Sequence, residues 1–310
     1  MIGISGDLEM KKRLLIINSI TGGGRNKARA FDLINRLSVN DYAVTVFPVS
    51  TDNQIELADY LKDNQYDSVV CVGGDGTLNR TVNEVMKTSY RPVIGYIPSG
   101  TCNDFSKNLP LSTDFYQACK IINNGKTVSY DLGRFNDQYF MYVASFGSIS
   151  SVSYNTDQQS KNFLGYAAYA AYALSMLPEI LSAKCHLRVE TDEETFEGDY
   201  LFGAIANSLS VAGVKINTMS YEDLMDGEFE LLLVKCPEHI QDVGSIAIAL
   251  LNSEFDNPYL EFRKIKRAHI YTTANTEWTL DGEYGGNPEE ITFEIREKAI
   301  DIAVDTRRIK

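Results

Sequence analysis

The sequence predicts a two-part chain, an α/β domain followed by a predominantly β domain, and three observations predict it. Through about residue 130, short apolar runs alternate with helical patterns and glycine-rich turns. After Tyr130 the helical patterns thin out, and strand-like runs follow one another between turn residues. The 310 residues, 44% hydrophobic and 23% charged, suffice for one large core or two modest ones at ordinary globular composition.

The first part opens with a buried-strand run at 13–18 (RLLIIN), a glycine-rich turn at 21–24 and a helix from about 27 to 37. A second strand reads at 42–49 (YAVTVFPV). The helix expected at 53–62 carries Ile55, Leu57, Ala58 and Leu61 near a 3.6-residue period. A third strand at 68–72 runs into Gly73 and Gly74, a helix reads at 77–86, and a fourth strand at 93–97 stops at Pro98. Strands alternating with helices imply crossover units and a mostly parallel sheet. This is a Rossmann-like three-layer α/β domain over residues 10–132, to which the last residues, about 303–310, are expected to return. Such sheets take ligands at the carboxyl ends of their strands, and each glycine-rich loop stands at such an end.

In the second part, strands read at 139–144, 186–191, 195–206, 227–234, 267–272, 277–280 and 290–295. Turn signals such as Asp192-Glu193 and Asp226-Gly227 separate them. Only two helical stretches interrupt the run, at 164–181 and 241–251. The pattern is that of a β-sandwich over residues 133–302, with the join near 131–137.

Charge narrows the partners. Against 29 Lys and Arg stand 42 Asp and Glu, a net −13, so the surface as a whole repels nucleic acid and anionic lipid. Any phosphate or membrane contact must come from a local patch. The most basic stretch is Arg263-Lys264-Ile265-Lys266-Arg267, either a solvated face or a docking patch for lipid headgroups. Five scattered cysteines without a CxxC pair read as a reducing compartment without structural zinc. Residues 1–9 lack the apolar core of a signal peptide. The stretch at 163–177 (FLGYAAYAAYALSML) is shorter than the ~20 residues that span a bilayer, and Pro178 ends it. Its Tyr166, Tyr169 and Tyr172 share a helix face, suiting either an internal helix or a lipid-facing one. His186, His239 and His269 are isolated from any nucleophile or metal partner. A soluble, cytoplasmic protein is expected.

Three loops carry the chemistry. The densest is Gly73-Gly74-Asp75-Gly76-Thr77-Leu78-Asn79, between an apolar strand and a helix. Glycines let a phosphate approach backbone amides without Cβ interference, the helix N-terminus adds free N–H groups, and Asp75 supplies a carboxylate for a metal, a water or a hydroxyl. The plain alternative is a tight turn capped by Thr77. The second loop is Pro98-Ser99-Gly100-Thr101-Cys102-Asn103-Asp104-Phe105, and the third is Asn18-Ser19-Ile20-Thr21-Gly22 with Gly23 and Gly24. None has the GxxxxGK[ST] spacing of a P-loop. All three stand at the ends of neighbouring strands and converge on one place.

Together, the GGDGT loop, the P-x-G-T-x-N-D-F loop and N-x-x-[ST]-G after the first strand resemble the diacylglycerol kinase catalytic-domain family, which includes sphingosine and ceramide kinases. Lys161-Asn162-Phe163-Leu164-Gly165, Met225-Asp226-Gly227-Glu228-Phe229 and Leu280-Asp281-Gly282-Glu283-Tyr284-Gly285-Gly286 are similar to its bacterial branch. The likeness covers the chain beyond about Met10. It implies an N-terminal domain like those of NAD kinase and phosphofructokinase. The activity it implies is an ATP- and magnesium-dependent lipid kinase that phosphorylates the hydroxyl of diacylglycerol or a similar lipid. Its partners would be ATP, that lipid and a transiently touched membrane surface, with no nucleic acid; a homodimer is compatible with it.

The same resemblance implies residue roles. Asn18, Ser19, Ile20, Thr21, Gly22, Gly73, Gly74, Asp75, Gly76, Thr77, Leu78, Asn79 and Thr101 would line the ATP site, with Thr51 a further nucleotide contact. Glu283 would be the general base for the lipid hydroxyl, which suits in-line attack by an alcohol; without the family, Asp281-Gly282-Glu283 reads equally as an exposed hairpin turn. Asp75, Asp104 and Lys161 would form the polar network around catalytic magnesium or its waters. A structural magnesium would take the Asp226 carboxylate and the main-chain carbonyls of Asp223 and Glu228, where the plain alternative is an Asp-Gly turn. Ser19 stands where many members have Pro. Gly23 stands where some bacterial members have Lys, so Arg25 or Lys27 would supply the missing cation. The competing reading is a soluble-metabolite kinase of the NAD kinase type, which shares GGDGT alone. A nucleotide-binding regulator without catalysis is disfavoured because Asp75 and Glu283 are both present.

Overall fold

The computed structural model describes residues 10–18, 25–49, 56–147, 184–211, 214–215, 220–239, 242–273 and 275–308. The chain divides into two compact units whose boundaries fall at Tyr130/Asp131 and Lys298/Ala299.

The first unit alternates β1 (Lys11–Asn18), α1 (Arg25–Leu37), β2 (Tyr42–Val49), α2 (Leu57–Asp63), β3 (Ser68–Gly73), α3 (Asp75–Met86), β4 (Val93–Pro98), α4 (Phe105–Asn108) and α5 (Phe115–Asn123). β1 pairs in parallel with β2 on one side and β3 on the other, and β3 pairs in parallel with β4. Near the end of the chain, Ile302 adds a parallel pairing with Ile94 of β4. Interior strands of a parallel sheet are covered on both faces, so they read as unbroken apolar runs. β3 is accordingly buried along its whole length, whereas β2 buries only Phe47. Leu33 and Leu37 of α1 join Phe115, Cys119 and Ile122 of α5 over Leu15, Val70, Val72 and Ile97 of the sheet. α3 starts at Asp75, two residues earlier than its sequence suggests, because Gly76 is taken into the first turn. α5 was not foreseen; its start is capped by Asp114, whose carboxylate accepts the Gln117 N–H at 2.9 Å.

The second unit contains the later part of β5 (Thr127–Phe135), then β6 (Gln138–Phe140), β7 (Val143–Gly147), β8 (Cys185–Thr191), β9 (Thr195–Ala206), β10 (Ser210–Val211), β11 (Val214–Lys215), β12 (Phe229–Lys235), α6 (Asp242–Asn252), β13 (Leu260–Ile265), β14 (Arg267–Thr272), β15 (Trp278–Leu280), β16 (Glu283–Gly286) and most of β17 (Glu290–Ala303). Its strand pairs are antiparallel, with β9 bonded to β7, β8 and β12. The core is aromatic: Trp278 lies 5.2 Å from Phe135 and 5.0 Å from Phe146 between ring centroids, and Phe140, Phe229 and Phe293 form a second group. Each such side chain contributes about 1.5–3 kcal/mol on burial.

The structure corrects several expectations in this part. The strand expected at 139–144 is two strands, β6 and β7. It breaks at Met141 and Tyr142 because their N–H groups turn to the Asp281 carboxylate instead of a neighbouring strand. The strand expected at 290–295 continues to Ala303. β13 was hidden inside the basic stretch, and that stretch is not a free cationic patch. Arg263 pairs with Glu194 and Glu261, Lys264 with Asp223 and Asp226, Lys266 with Glu228, and Arg267 with Asp192. No helix among the described residues is long and apolar enough to cross a membrane; the tyrosine-rich helix expected at 164–181 lies outside them.

Candidate functional site

In the first unit, β1, β3 and β4 end side by side, and the loops after β3 and β4 lock together. The Ser99 N–H donates to the Gly73 carbonyl at 2.8 Å. Asn18 closes on the next loop, donating to the Thr77 hydroxyl at 3.0 Å. From α1, the Asn26 amide donates to the Asn18 carbonyl at 3.0 Å and to the Ser99 hydroxyl at 2.8 Å, joining the end of β1 to the loop after β4. Space explains the glycines. A Cβ on Gly73 would lie 2.6 Å from the Thr77 side chain, and one on Gly100 would lie 2.5 Å from the Gly74 Cα.

Asp75 is the hub. Its carboxylate accepts the Asp104 N–H at 2.8 Å and the Phe105 N–H at 3.2 Å, with the Tyr96 hydroxyl at 3.4 Å. Burial pushes its pKa up, while the two backbone N–H groups work against that rise. Asn103 makes the reverse turn that aims these N–H groups. Its φ is +51°, and its amide both accepts from the Gly100 N–H at 2.8 Å and donates to the Gly100 carbonyl at 2.9 Å. Asp104 thus reaches Asp75 through its backbone; its carboxylate pairs with Lys107 one helical turn on.

The other expected nucleotide residues fall into distinct settings. Thr77 is held by Asn18, and Thr101 is exposed. The Leu78 side chain is 1% exposed and belongs to the core, and its N–H is taken by the Gly74 carbonyl at 3.1 Å. Asn79 accepts from Asn83 within α3. Ser19, Ile20, Thr21, Gly22, Gly23, Thr51 and Lys161, and the side chains of Arg25 and Lys27, lie outside the described residues. One residue that sequence reasoning missed is Arg29. It lines a cavity of about 190 Å³ with Asn26, Ser99, Gly100, Asn103 and Phe115. Its helical register with Asn26 was the only available signal.

In the second unit, Glu283 opens β16 in a two-residue hairpin after β15. Asp281 (φ +51°) and Gly282 (φ +84°) form the turn, as a type I′ hairpin requires. Asp281 is 3% exposed, and its carboxylate accepts N–H bonds from Met141 at 2.7 Å, Tyr142 at 2.9 Å and Val143 at 3.1 Å. Its own N–H returns to the Val143 carbonyl at 2.8 Å. Glu283 itself is exposed. The turn is therefore anchored from below by Asp281 and presents Glu283 at the surface of the unit.

The Asp226 turn is held by Asp131, whose carboxylate accepts from the Gly227 N–H at 2.9 Å and the Lys298 N–H at 2.6 Å. The Asp226 carboxylate accepts the Glu228 N–H at 2.9 Å and meets the Lys264 ammonium at 2.7 Å. Asp223 joins the same ammonium at 3.2 Å. The Ser220 N–H and hydroxyl, with Lys264, hold the Asp223 pKa below its ordinary value. Burial opposes the charged form of Lys264, and its bonds to Asp226 and Asp223 override that and raise its pKa. Beside this cluster, Glu230 is 1% exposed, and neither of its carboxylate oxygens has a hydrogen-bond partner among the described residues. Burial pushes its carboxyl up to about 8.

Strand-end loops on a parallel sheet, joined to a second β unit, define a class that comparison with known proteins narrows. The family model of the diacylglycerol kinase catalytic domain matches residues 12–135. A diacylglycerol kinase of Staphylococcus saprophyticus is 31% identical, over 89% of this chain and 90% of the relative. One from Staphylococcus carnosus is 32% identical over the same shares. Two solved chains from Bacillus anthracis str. Sterne share the fold. One has a TM-score of 0.72 at 23% identity, covering 99% of both chains. The other, a diacylglycerol kinase, has a TM-score of 0.69 at 19% identity, covering 96% of this chain and 98% of that one. The chain belongs to the diacylglycerol kinase catalytic domain family. It is thus a phosphotransferase of that type.

Proposed function

We propose that the chain transfers the γ-phosphoryl group of ATP to the hydroxyl of diacylglycerol or a closely similar lipid. The observation that carries this reading is the Asp75 hub, in which one buried carboxylate fixes the Gly100–Phe105 loop against Gly73–Thr77 through backbone N–H groups. Phosphoryl transfer leaves the protein little covalent work, so rigid placement of phosphates and nucleophile is most of its task. The lack of side chains on Gly74 and Gly100 lets the two loops close backbone to backbone, which holds both at one place. The free N–H groups of the first turn of α3 favour their negative charge. Asn18, Thr77 and Thr101 contribute polar groups at the rim, and Arg29 adds a guanidinium to the neighbouring cavity. The names of the Staphylococcus relatives support a diacylglycerol acceptor.

Glu283 accepts the proton of the lipid hydroxyl as its oxygen attacks phosphorus. Asp281 holds the turn so that Glu283 need not choose between structural and chemical work. Lys161, with Asp75 and Asp104, would hold catalytic magnesium or its waters.

The Asp226 turn fits a hard divalent cation. Its donors are oxygens, as magnesium requires, and two carboxylates there already converge on one positive group, the Lys264 ammonium. The Asp226 carboxylate and the carbonyls of Asp223 and Glu228 would hold the ion. Bound there, magnesium would neutralise the charge of the Asp226 carboxylate.

The deciding experiment is transfer of radiolabelled γ-phosphate from ATP, with magnesium present, to a panel of diacylglycerol, sphingosine, ceramide and NAD. Labelling of diacylglycerol in mixed micelles is expected. Labelling of NAD alone, without detergent or vesicles, would overturn the lipid reading in favour of a soluble-metabolite kinase.

A further inference from the structure

We propose that the cavity beside Arg29 is a second phosphate site, in which the Arg29 guanidinium and the hydroxyls of Ser99 and Thr113 hold one phosphate group. The inference goes beyond the kinase reading, because none of Gly73–Asn79 lines this cavity.

The charge comes from α1. Arg29 and Arg36 stand two helical turns apart, and each lies over an aromatic ring of α5: Arg29 over Phe115 at 5.1 Å, Arg36 over Tyr116 at 4.2 Å. Stacking on a ring steadies a guanidinium without consuming its N–H groups. Arg36 spends its own on Asp32, at 3.0 Å. Arg29 has no ion pair or hydrogen bond among the described residues, and a guanidinium keeps its charge. It lines a cavity of about 190 Å³, and no carboxylate stands among the described residues around that space. In a chain of net −13, the cavity is a local site of the opposite sign.

The hydroxyls follow from hydrogen-bond accounting. Asn26 is 5% exposed, and its amide nitrogen faces both the Asn18 carbonyl and the Ser99 hydroxyl. A carbonyl only accepts, so this nitrogen is the donor to both. Ser99 therefore receives a bond from Asn26, and its own proton is left to donate elsewhere. No acceptor for that proton stands among the described residues. Thr113, just before the Asp114 cap of α5, lines the same cavity with a hydroxyl that has no partner among them either. A planar fork and two O–H donors around one space suit a tetrahedral oxyanion, with two oxygens on the fork and the others on the hydroxyls. The volume equals roughly six waters at about 30 Å³ each. That holds a phosphate group, and it falls short of the ~300 Å³ at which pockets for whole small molecules begin. A phosphate there joins α1 and the start of α5 to the loop after β4.

The test is thermal unfolding of the full chain over a potassium phosphate series, with KCl holding ionic strength constant. The concentration at half-maximal rise in Tm reports affinity. Phosphate should raise the wild-type Tm. Arg29→Gln should weaken phosphate about tenfold or more, the loss expected for hydrogen bonds to a charged group. Thr113→Val, which keeps the shape and removes the hydroxyl, should weaken it by a smaller factor. The series is then repeated with saturating ATP and magnesium, and the midpoint should hold. No rise in the wild type, or the same midpoint in Arg29→Gln, would overturn the site. A midpoint driven up tenfold by ATP would also overturn it, by placing the phosphate in the nucleotide's own position. A phosphate group can come free or on a lipid headgroup, and sedimentation with phosphatidylcholine vesicles carrying a phosphomonoester lipid separates these sources. Capture of the wild type but not of Arg29→Gln assigns the site to a headgroup. Equal capture of both, with the Tm response still dependent on Arg29, assigns it to free phosphate.

Discussion

Gly74 and Gly100 meet backbone to backbone: a Cβ added to Gly100 would lie 2.5 Å from the Gly74 Cα, and one added to Gly74 would lie 3.2 Å from the Gly100 Cα. The two strand-end loops are packed as a pair, with Ser99 bonded to Gly73 and Asp75 bonded to Asp104 on either side of the contact. Neither loop can be altered without moving the other.

The two glycines should therefore respond unequally. Gly100→Ala forces its methyl against backbone that has no rotamer to yield, and should destabilise the first unit by about 1–3 kcal/mol. Gly74→Ala meets the Gly100 Cα at 3.2 Å, which asks for a smaller backbone shift, and should lose less. Chemical denaturation of both variants checks this, and an equal loss would show that the loops separate easily.

Asp75→Asn should injure both stability and ATP binding. The carboxylate accepts two backbone N–H groups, and an asparagine must turn its NH2 towards one of them. Leaving that N–H unpaired costs about 1–3 kcal/mol. Calorimetric titration with ATP and magnesium should show weaker binding together with a lower Tm; intact ATP affinity in a destabilised protein would confine Asp75 to a structural role.

The sequence made the parallel sheet legible because interior parallel strands are continuous apolar runs, and β3 and β4 fall within a residue of where those runs put them. The glycine loops were legible for a different reason, since clustered Gly and Asp after a strand have few other uses. Three things were not. Asp281 looked like a turn residue, because its three N–H partners lie about 140 positions earlier in the chain. β13 looked like a basic patch, because the carboxylates that neutralise Arg263, Lys264 and Lys266 come from distant turns. Glu230 drew no reading from the sequence, because alternation does not reveal that β12 is paired on both edges and buried.

Asp281→Asn should unfold the hairpin's footing without touching the chemistry directly. Asparagine tolerates the φ of +51°, so backbone strain is not introduced. Only the charge and one acceptor are lost, where three N–H groups now converge. Stability should fall by about 1.5–3 kcal/mol, as for hydrogen bonds to a charged group. A thermal melt within error of the wild type would mean that the remaining oxygen carries the three bonds alone.

Glu283→Gln should do the opposite. The residue is exposed at the start of β16, its backbone is fixed by the Leu280 pairing, and the turn before it is held by Asp281 rather than by its own side chain. Stability should therefore be unchanged. ATP affinity should also hold, because the loops proposed to face phosphate belong to other residues. What the glutamine cannot do is accept the proton of the lipid hydroxyl, and loss of a general base lowers rate by about 10²- to 10⁴-fold. The fall should appear in kcat, with KM for ATP nearly constant, since an interaction made only in the transition state has been removed. Steady-state kinetics on diacylglycerol micelles, with ATP and magnesium varied separately, measure both parameters. A variant that keeps most of its kcat would make Glu283 a hairpin residue and move the search for the base to Asp75 and Asp104.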